Sequence, residues 1–198
     1  MRVIYCFVAA VSLMAAGQLF AVEPQKNDVK QEGQMTTQKK ALVVYYSRTG
    51  NTKKVAEDIA SALNADVEQL IDKKDYSGAI GYMKAGKDAS QEKFAEIAPV
   101  QHDPSKYEMV ILGTPVWAWN MTPAIRTYIT NNKQAFKSIS LFTTAGGTKP
   151  DKIVQKMEEL AGKKAVSSAG FFAGEIKDKD SKTYKDKLQA FLKGLQYY

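Results

Sequence analysis

Short continuous apolar runs alternate along this chain with stretches whose apolar residues recur every three or four positions. Ala41-Leu42-Val43-Val44-Tyr45-Tyr46 is apolar, β-branched and aromatic throughout, the pattern of a strand covered on both faces. Val55, Ile59 and Leu63, with Ala56 and Ala62 beside them, form one face of a helix. Residues 67–71 are a second strand, and residues 75–94, where Tyr76, Ile80, Tyr82 and Met83 stand among Gly and Lys, read as an irregular helix. Val110-Ile111-Leu112 closes a third strand at Gly113, and a helix bearing Ile125, Tyr128 and Ile129 starts at Pro123, a residue tolerated in a first helical turn. Residues 139–143 are a fourth strand. Ile153, Val154, Met157, Leu160 and Ala161 stripe the next helix, residues 166–172 are a fifth strand, and Tyr184, Leu188, Phe191, Leu192 and Leu195 stripe a closing helix.

Five strands alternating with helices predict an α/β fold, a doubly wound parallel sheet between two helical layers. Ligands of such sheets bind outside the carboxyl ends of the strands. Three loops therefore carry the interest, those after Tyr46, after Leu112 and after Thr143.

The segment before the first strand has a different composition. Met1-Arg2 is basic, residues 3–16 are apolar except for Ser12, and Ala21 precedes the polar run Val22-Glu23-Pro24-Gln25-Lys26. These are the parts of a secretory signal peptide, residues 1–21. The apolar stretch is shorter than the ~20 residues that span a bilayer, so no membrane span is expected after cleavage. Cys6, the only cysteine, leaves with the signal, which suits an oxidising compartment. The protein is expected to be periplasmic or secreted. Residues 22–39 contain only Val22, Val29 and Met35 as large apolar residues and predict a flexible polar tether to a folded domain at 40–198.

Composition narrows the function. Hydrophobic residues at 44% and charged residues at 25% are the balance of a globular domain. The net charge is +7, but only Arg2, Arg48 and Arg126 are arginines. Planar bidentate readout of guanine or phosphate favours arginine, so no specific nucleic acid is expected as a partner. No Ser-His-Asp set, cysteine nucleophile or metal cluster can be assembled. His102, the lone histidine, lies in Gln101-His102-Asp103-Pro104 and is expected as a surface loop residue.

The first loop carries the strongest chemistry. In Ser47-Arg48-Thr49-Gly50-Asn51-Thr52, four of six residues bear a hydroxyl or an amide. Gly50 allows a tight turn, and the following helix offers free N–H groups and a positive dipole end. Together they form a cradle for phosphate. The two glycines and Lys of an ATP loop are missing, as are the three glycines of a dinucleotide fingerprint. The alternative is that Ser47 or Asn51 merely caps the helix.

Tyr45-Tyr46-Ser47-Arg48-Thr49-Gly50-Asn51-Thr52, followed by Val55-Ala56, resembles the flavodoxin phosphate loop. The likeness continues through Leu112-Gly113-Thr114-Pro115-Val116-Trp117-Ala118-Trp119 and Thr143-Thr144-Ala145-Gly146-Gly147, which fall where flavodoxin-like proteins carry two flavin-ring loops. The resemblance covers residues 40–198. It implies strand order 2-1-3-4-5 and non-covalent FMN. The phosphate would lie on Ser47, Arg48, Thr49, Gly50, Asn51 and Thr52. The ring would lie against Pro115, Val116, Trp117, Ala118, Trp119 and Asn120 on one side, and Thr144, Ala145, Gly146 and Gly147 on the other.

Three departures from the family shape the expectation. The first ring loop lacks the glycine whose peptide turns toward the half-reduced ring, and a positive φ is costly for Trp119 or Asn120. The second ring loop has no aromatic residue, which leaves one ring face open. The chain is basic where typical flavodoxins are acidic, with Arg48, Lys53 and Lys54 near the phosphate loop. With the signal peptide, the resemblance implies an exported FMN-binding redox protein, moving electrons between proteins or, as an FMN-dependent oxidoreductase, passing hydride to a small acceptor such as a quinone; the departures favour the second mode. The residues specify neither the electron donor nor the acceptor. The competing reading is a flavodoxin-fold binding module that has lost FMN.

Overall fold

The computed structural model describes residues 40–147 and 151–196, and the expected signal peptide and tether lie outside the described residues. Five parallel strands form one sheet: β1 (Ala41–Tyr45), β2 (Asp66–Gln69), β3 (Met109–Pro115), β4 (Ser138–Ala145) and β5 (Ala165–Phe172). The order is β2-β1-β3-β4-β5, as the resemblance implies. Six helices connect or flank them: α1 (Asn51–Leu63), α2 (Gly78–Ser90), α3 (Pro123–Asn132), α4 (Asp151–Ala161), α5 (Ala173–Lys177) and α6 (Lys182–Leu195). Among the described residues no helix is long and apolar enough to cross a membrane.

β1 and the first half of β3 read as unbroken apolar runs because each face meets a helical layer. Leu42, Val44, Val110, Leu112, Ile139 and Leu141 point to the side of α3 and α4, where Ile125, Ile129, Ile153 and Met157 meet them. Val43, Tyr45, Ile111 and Phe142 point to the opposite side, against Val55, Ile59, Tyr184 and Phe191 of α1 and α6. Gly113 is the place in β3 that no side chain could occupy. A Cβ there would stand 2.0 Å from the Phe142 ring, which fills that space.

Three boundaries differ from the sequence reading, each for a tertiary reason. β2 stops at Gln69 because the chain then leaves the sheet; Ala98 N–H donates to the Ile71 carbonyl (2.9 Å) and Lys73 N–H to that of Glu96 (2.9 Å). β3 and β4 run past Gly113 and Thr143 because they continue to pair, Thr114 with Thr143 and Pro115 with Thr144. Thr144 and Ala145 are thus buried strand residues, not loop residues. Residues 75–94 hold a regular 13-residue helix, α2, set by a turn in which Asp75 accepts from Ser77 N–H at 2.7 Å.

α2 lies outside both apolar clusters. Its buried face is Gly81, Ala85, Asp88 and Ala89, while Ile80, Tyr82 and Met83 are exposed. Too little apolar surface is available to hold it, and polar contacts do so instead. Asp88, 4% exposed, accepts from Tyr76 Oη (3.1 Å) and Lys93 Nζ (2.9 Å) and pairs with Lys74.

Candidate functional site

The loops that follow β1, β3 and β4 come together at one edge of the sheet. α1 begins at Asn51 behind Gly50, which is left-handed (φ 89°) and caps the helix with no side-chain hydrogen bond. Capping by Ser47 or Asn51 is therefore not what the structure has. Ser47 Oγ instead accepts from Gly50 N–H at 3.2 Å and closes the loop on itself. The N–H groups of a first helical turn have no intrahelical partners, and here no side chain takes their place. Arg48, Thr49 and Gly50 are exposed and Asn51 half-buried, so this end of α1 is open to an anion.

Thr52 is placed otherwise. It is 1% exposed, and its hydroxyl lies 2.8 Å from that of Thr144 at the end of β4. One hydrogen bond between two hydroxyls consumes one O–H, and the accepting hydroxyl retains a proton to donate. The pair pins the start of α1 to the fourth strand.

The chain after β3 makes a two-residue turn. Trp117 and Asn120 exchange backbone hydrogen bonds, each 2.9 Å, across Ala118 (φ 45°) and Trp119 (φ 57°). Such left-handed two-residue turns usually carry Asn-Gly. Each non-glycine residue costs about 1–2 kcal/mol there. The sequence reading treated a positive φ in this loop as an obstacle; the structure already adopts it at Ala118 and Trp119. The two indoles separate as a consequence. Trp117 is half-buried, edge-on to Tyr46 (5.4 Å) and Tyr76 (5.3 Å). Trp119 is 74% exposed. Pro115 stays in the β3–β4 ladder, and Val116 N–H extends that ladder to the Thr144 carbonyl (2.8 Å).

Asn120 lies beneath the turn, 2% exposed. Its Nδ2 donates to Glu92 Oε1 (3.1 Å), and its Oδ1 accepts from Arg126 (3.0 Å) and Met121 N–H (3.0 Å). Its amide thus serves protein partners. The Asn120 hydrogen bond, followed by Lys156 and Arg126, holds the Glu92 carboxyl below the usual carboxylate range.

Val116, Trp117, Ala118, Trp119, Gly146 and Gly147 line one cavity of about 730 Å³. Residues 47–52 are not among its walls. The phosphate loop and the ring loops are neighbours joined by the Thr52–Thr144 pair and the Tyr46–Trp117 contact, not one concavity.

The wall facing the turn was missed from sequence. It is α2, contributing Tyr82, Met83 and Lys87, with Gly86 approaching the Ala118 methyl. A signal existed in the pattern: the large apolar residues of α2 are out of phase with its small, buried ones. An outward aromatic and methionine on a weakly amphipathic helix mark a wall awaiting a partner.

The cations expected near the phosphate loop are largely committed elsewhere. Arg48 donates to the Tyr76 carbonyl (3.2 Å) and lies 5.2 Å over the Tyr82 ring. Lys53 and Lys54 pair with Glu57 and Asp58 one turn along α1. His102 is more than a surface residue: its Nδ1 lies 2.8 Å from the carboxylate of Glu68, which also accepts the Gln101 and His102 N–H groups. The pair fastens the 101–102 bend to β2, away from the cavity.

Comparison with known proteins agrees with this geometry. The family model for Flavodoxin matches residues 40–191. Among solved structures, a flavoprotein in complex with FMN from Lactobacillus acidophilus NCFM is 25% identical, with a TM-score of 0.60 over 76% of this chain and 99% of that one. The apo-form of the flavoprotein from the same organism is 27% identical, with a TM-score of 0.54 over 70% and 96%. A flavoprotein of Bacteroides eggerthii DSM 20697 shares the fold at 20% identity and TM-score 0.60, over 78% and 98%. No relative is found among curated protein sequences.

The attachment of the α2 wall generates a prediction. Hydrogen bonds from Lys74 first, and from Lys93 and Tyr76, outweigh burial and hold the Asp88 carboxyl at about 2. A depressed carboxyl stabilises the fold above its ordinary value near 3.8, and this contribution is lost as pH falls toward about 2. Asp88→Asn is expected to cost about 1–3 kcal/mol at neutral pH. Urea titrations of parent and variant across pH check this: the gap should be constant above about pH 4 and shrink below it. A gap independent of pH down to about 2 would contradict the assignment.

Proposed function

The chain belongs to the flavodoxin family, and from that premise we propose that it is an exported FMN-carrying redox protein that passes hydride to a small acceptor such as a quinone. The observation that carries the reading is the uncapped, left-handed start of α1 tied by Thr52–Thr144 to loops that line a tryptophan-walled cavity. The residues fit the group on both counts. The open N–H groups and exposed Thr49 hydroxyl suit a phosphate, and indole faces suit a flat ring with an apolar middle. When bound, FMN supplies the redox chemistry, taking up and releasing one or two electrons.

The chain's own residues supply binding, orientation and access. The first turn of α1 and the 47–50 loop would hold the phosphate by hydrogen bonds from N–H groups and hydroxyls, since Lys53 and Lys54 pair with Glu57 and Asp58. Trp117, wedged between Tyr46 and Tyr76, gives a fixed aromatic edge. Burial pushes the Tyr46 hydroxyl up to about 12, so that support stays neutral. Among the described residues of the cavity rim, Gly146 and Gly147 place no side chain between the turn and α2. A small planar acceptor therefore has an approach that an aromatic residue would close, which favours hydride transfer over a protein-to-protein shuttle. Export rests on the basic, apolar and small-residue order of residues 1–21.

Three outcomes test these readings. Thr49→Ala should weaken FMN binding by about 1.5–3 kcal/mol through one lost hydrogen bond to a charged group, while riboflavin, without the phosphate, binds parent and variant alike. Fluorescence titration measures both, and equal losses for the two flavins would remove the phosphate from this loop. The FMN-loaded protein, reduced and then mixed with a small quinone, should reoxidise in a rapid second-order reaction followed by absorbance. Slow reaction with quinone and fast reaction with a redox protein would assign it as a shuttle. Mass spectrometry of protein from the native cell should find the mature chain starting near Val22; an intact Met1 in the cytoplasm would refute export.

A further inference from the structure

Four non-glycine residues in the described structure have left-handed backbone: Asn64, Glu92, Ala118 and Trp119. Asn64 is the residue type that best tolerates it, at the end of α1. The other three meet at one place.

Glu92 ends α2 where a helix usually carries glycine. Glu92 N–H donates to the Ala89 carbonyl (3.0 Å) and Lys93 N–H to that of Asp88 (3.0 Å), the paired bonds of a left-handed helix stop. A glutamate there works against the backbone preference, so its side chain has to account for its presence. That side chain reaches the base of the 117–120 turn. Glu92 Oε1 accepts from Asn120 Nδ2 (3.1 Å) and Lys156 Nζ (3.1 Å), and Oε2 lies 3.6 Å from Arg126. Arg126 is 7% exposed and needs a carboxylate partner; it returns a hydrogen bond to Asn120 Oδ1 at 3.0 Å. Asn120 closes the turn through its backbone. The chain from α2 through Glu92 and Arg126 to Asn120 thus ends at the residue that keeps Ala118 and Trp119 left-handed.

We propose that Glu92, Asn120 and Arg126 are positioning residues that hold the 117–120 turn in its strained form, so that Trp117 and Trp119 face the cavity between the turn and α2. The role rests on the reading of that cavity as the flavin-ring site. Loss of the Glu92 side chain leaves Asn120 Nδ2 and Arg126 without their partner, the turn relaxes toward ordinary backbone, and both indoles leave the wall.

Trp117 and Trp119 are the chain's only tryptophans, so indole fluorescence reports on this turn alone and requires no flavin. Glu92→Gly removes the side chain while relieving the backbone at the helix stop, and Glu92→Gln keeps an acceptor for Asn120. In the apo-protein, Glu92→Gly should raise acrylamide quenching and lower emission anisotropy, with Glu92→Gln between it and the parent. In flavin titrations, Glu92→Gly should weaken FMN and riboflavin alike, each by about tenfold, as the loss of one charge-assisted support implies. Glu92→Gln, which keeps the acceptor for Asn120 but not the charge facing Arg126, should recover part of the loss for both. Unchanged quenching in Glu92→Gly overturns the proposal, as does changed quenching with unchanged affinity for both flavins. If neither flavin binds the parent, the cofactor reading fails, and the quenching comparison still decides whether Glu92 holds the turn.

Discussion

Parallel pairing of all five strands is the constraint from which the rest follows. It brings every strand's carboxyl end to one edge, so the chain must leave the sheet and turn back there each time. The backbone groups released at that edge need partners or a ligand. The exits of β3 and β4 satisfy each other, Val116 N–H donating to the Thr144 carbonyl. The third exit, at Gly50, leaves the first turn of α1 uncapped. That contrast within one edge gives the phosphate reading its physical content.

The two walls of the cavity are held by different forces. The strand side is an apolar lattice, in which Phe142 fills the gap that Gly113 leaves. The α2 side contributes nothing to either apolar cluster and depends on a nearly buried carboxylate with two lysines and a tyrosine. Ionic attachment is local and sensitive to acid, whereas apolar packing is spread over many contacts. The α2 wall is thus held apart from the apolar core, by Asp88 on one side and by Glu92 on the other. This suits a site that admits a planar ligand between turn and helix.

Local rules are broken where the site is. Ala118 and Trp119 stand where Asn-Gly is preferred, Glu92 stands where glycine is preferred, and Tyr82 and Met83 face solvent from a helix with little apolar contact. Elsewhere the local and global signals agree, as natural sequences generally require. Conflict concentrated around one cavity is the expected signature of a functional site, because only binding gives a return on the strain.

The strands, the helical stripes, the parallel sheet and the hydroxyl-rich loop after β1 could all be read from the sequence. Each rests on short-range patterning: period 3.6 in α1 and α6, unbroken apolar runs in β1 and the first half of β3, hydroxyls around Gly50. The strand ends could not be read, because β3 and β4 continue past Gly113 and Thr143 only where each supplies the other's hydrogen bonds. Nor could the separate fates of residues adjacent in sequence. Trp117 and Trp119 differ in exposure, and Asn120 is buried, because a left-handed turn rotates them apart. Thr49 and Thr52 differ because only Thr52 meets β4, 92 residues away. The sequence determined which residue types stand at the carboxyl edge of the sheet, hydroxyls around Gly50, two tryptophans after β3 and two glycines after β4. Tertiary structure alone decided which of them face the cavity and which support it from beneath, since that depends on partners far away in the chain, which no local periodicity encodes.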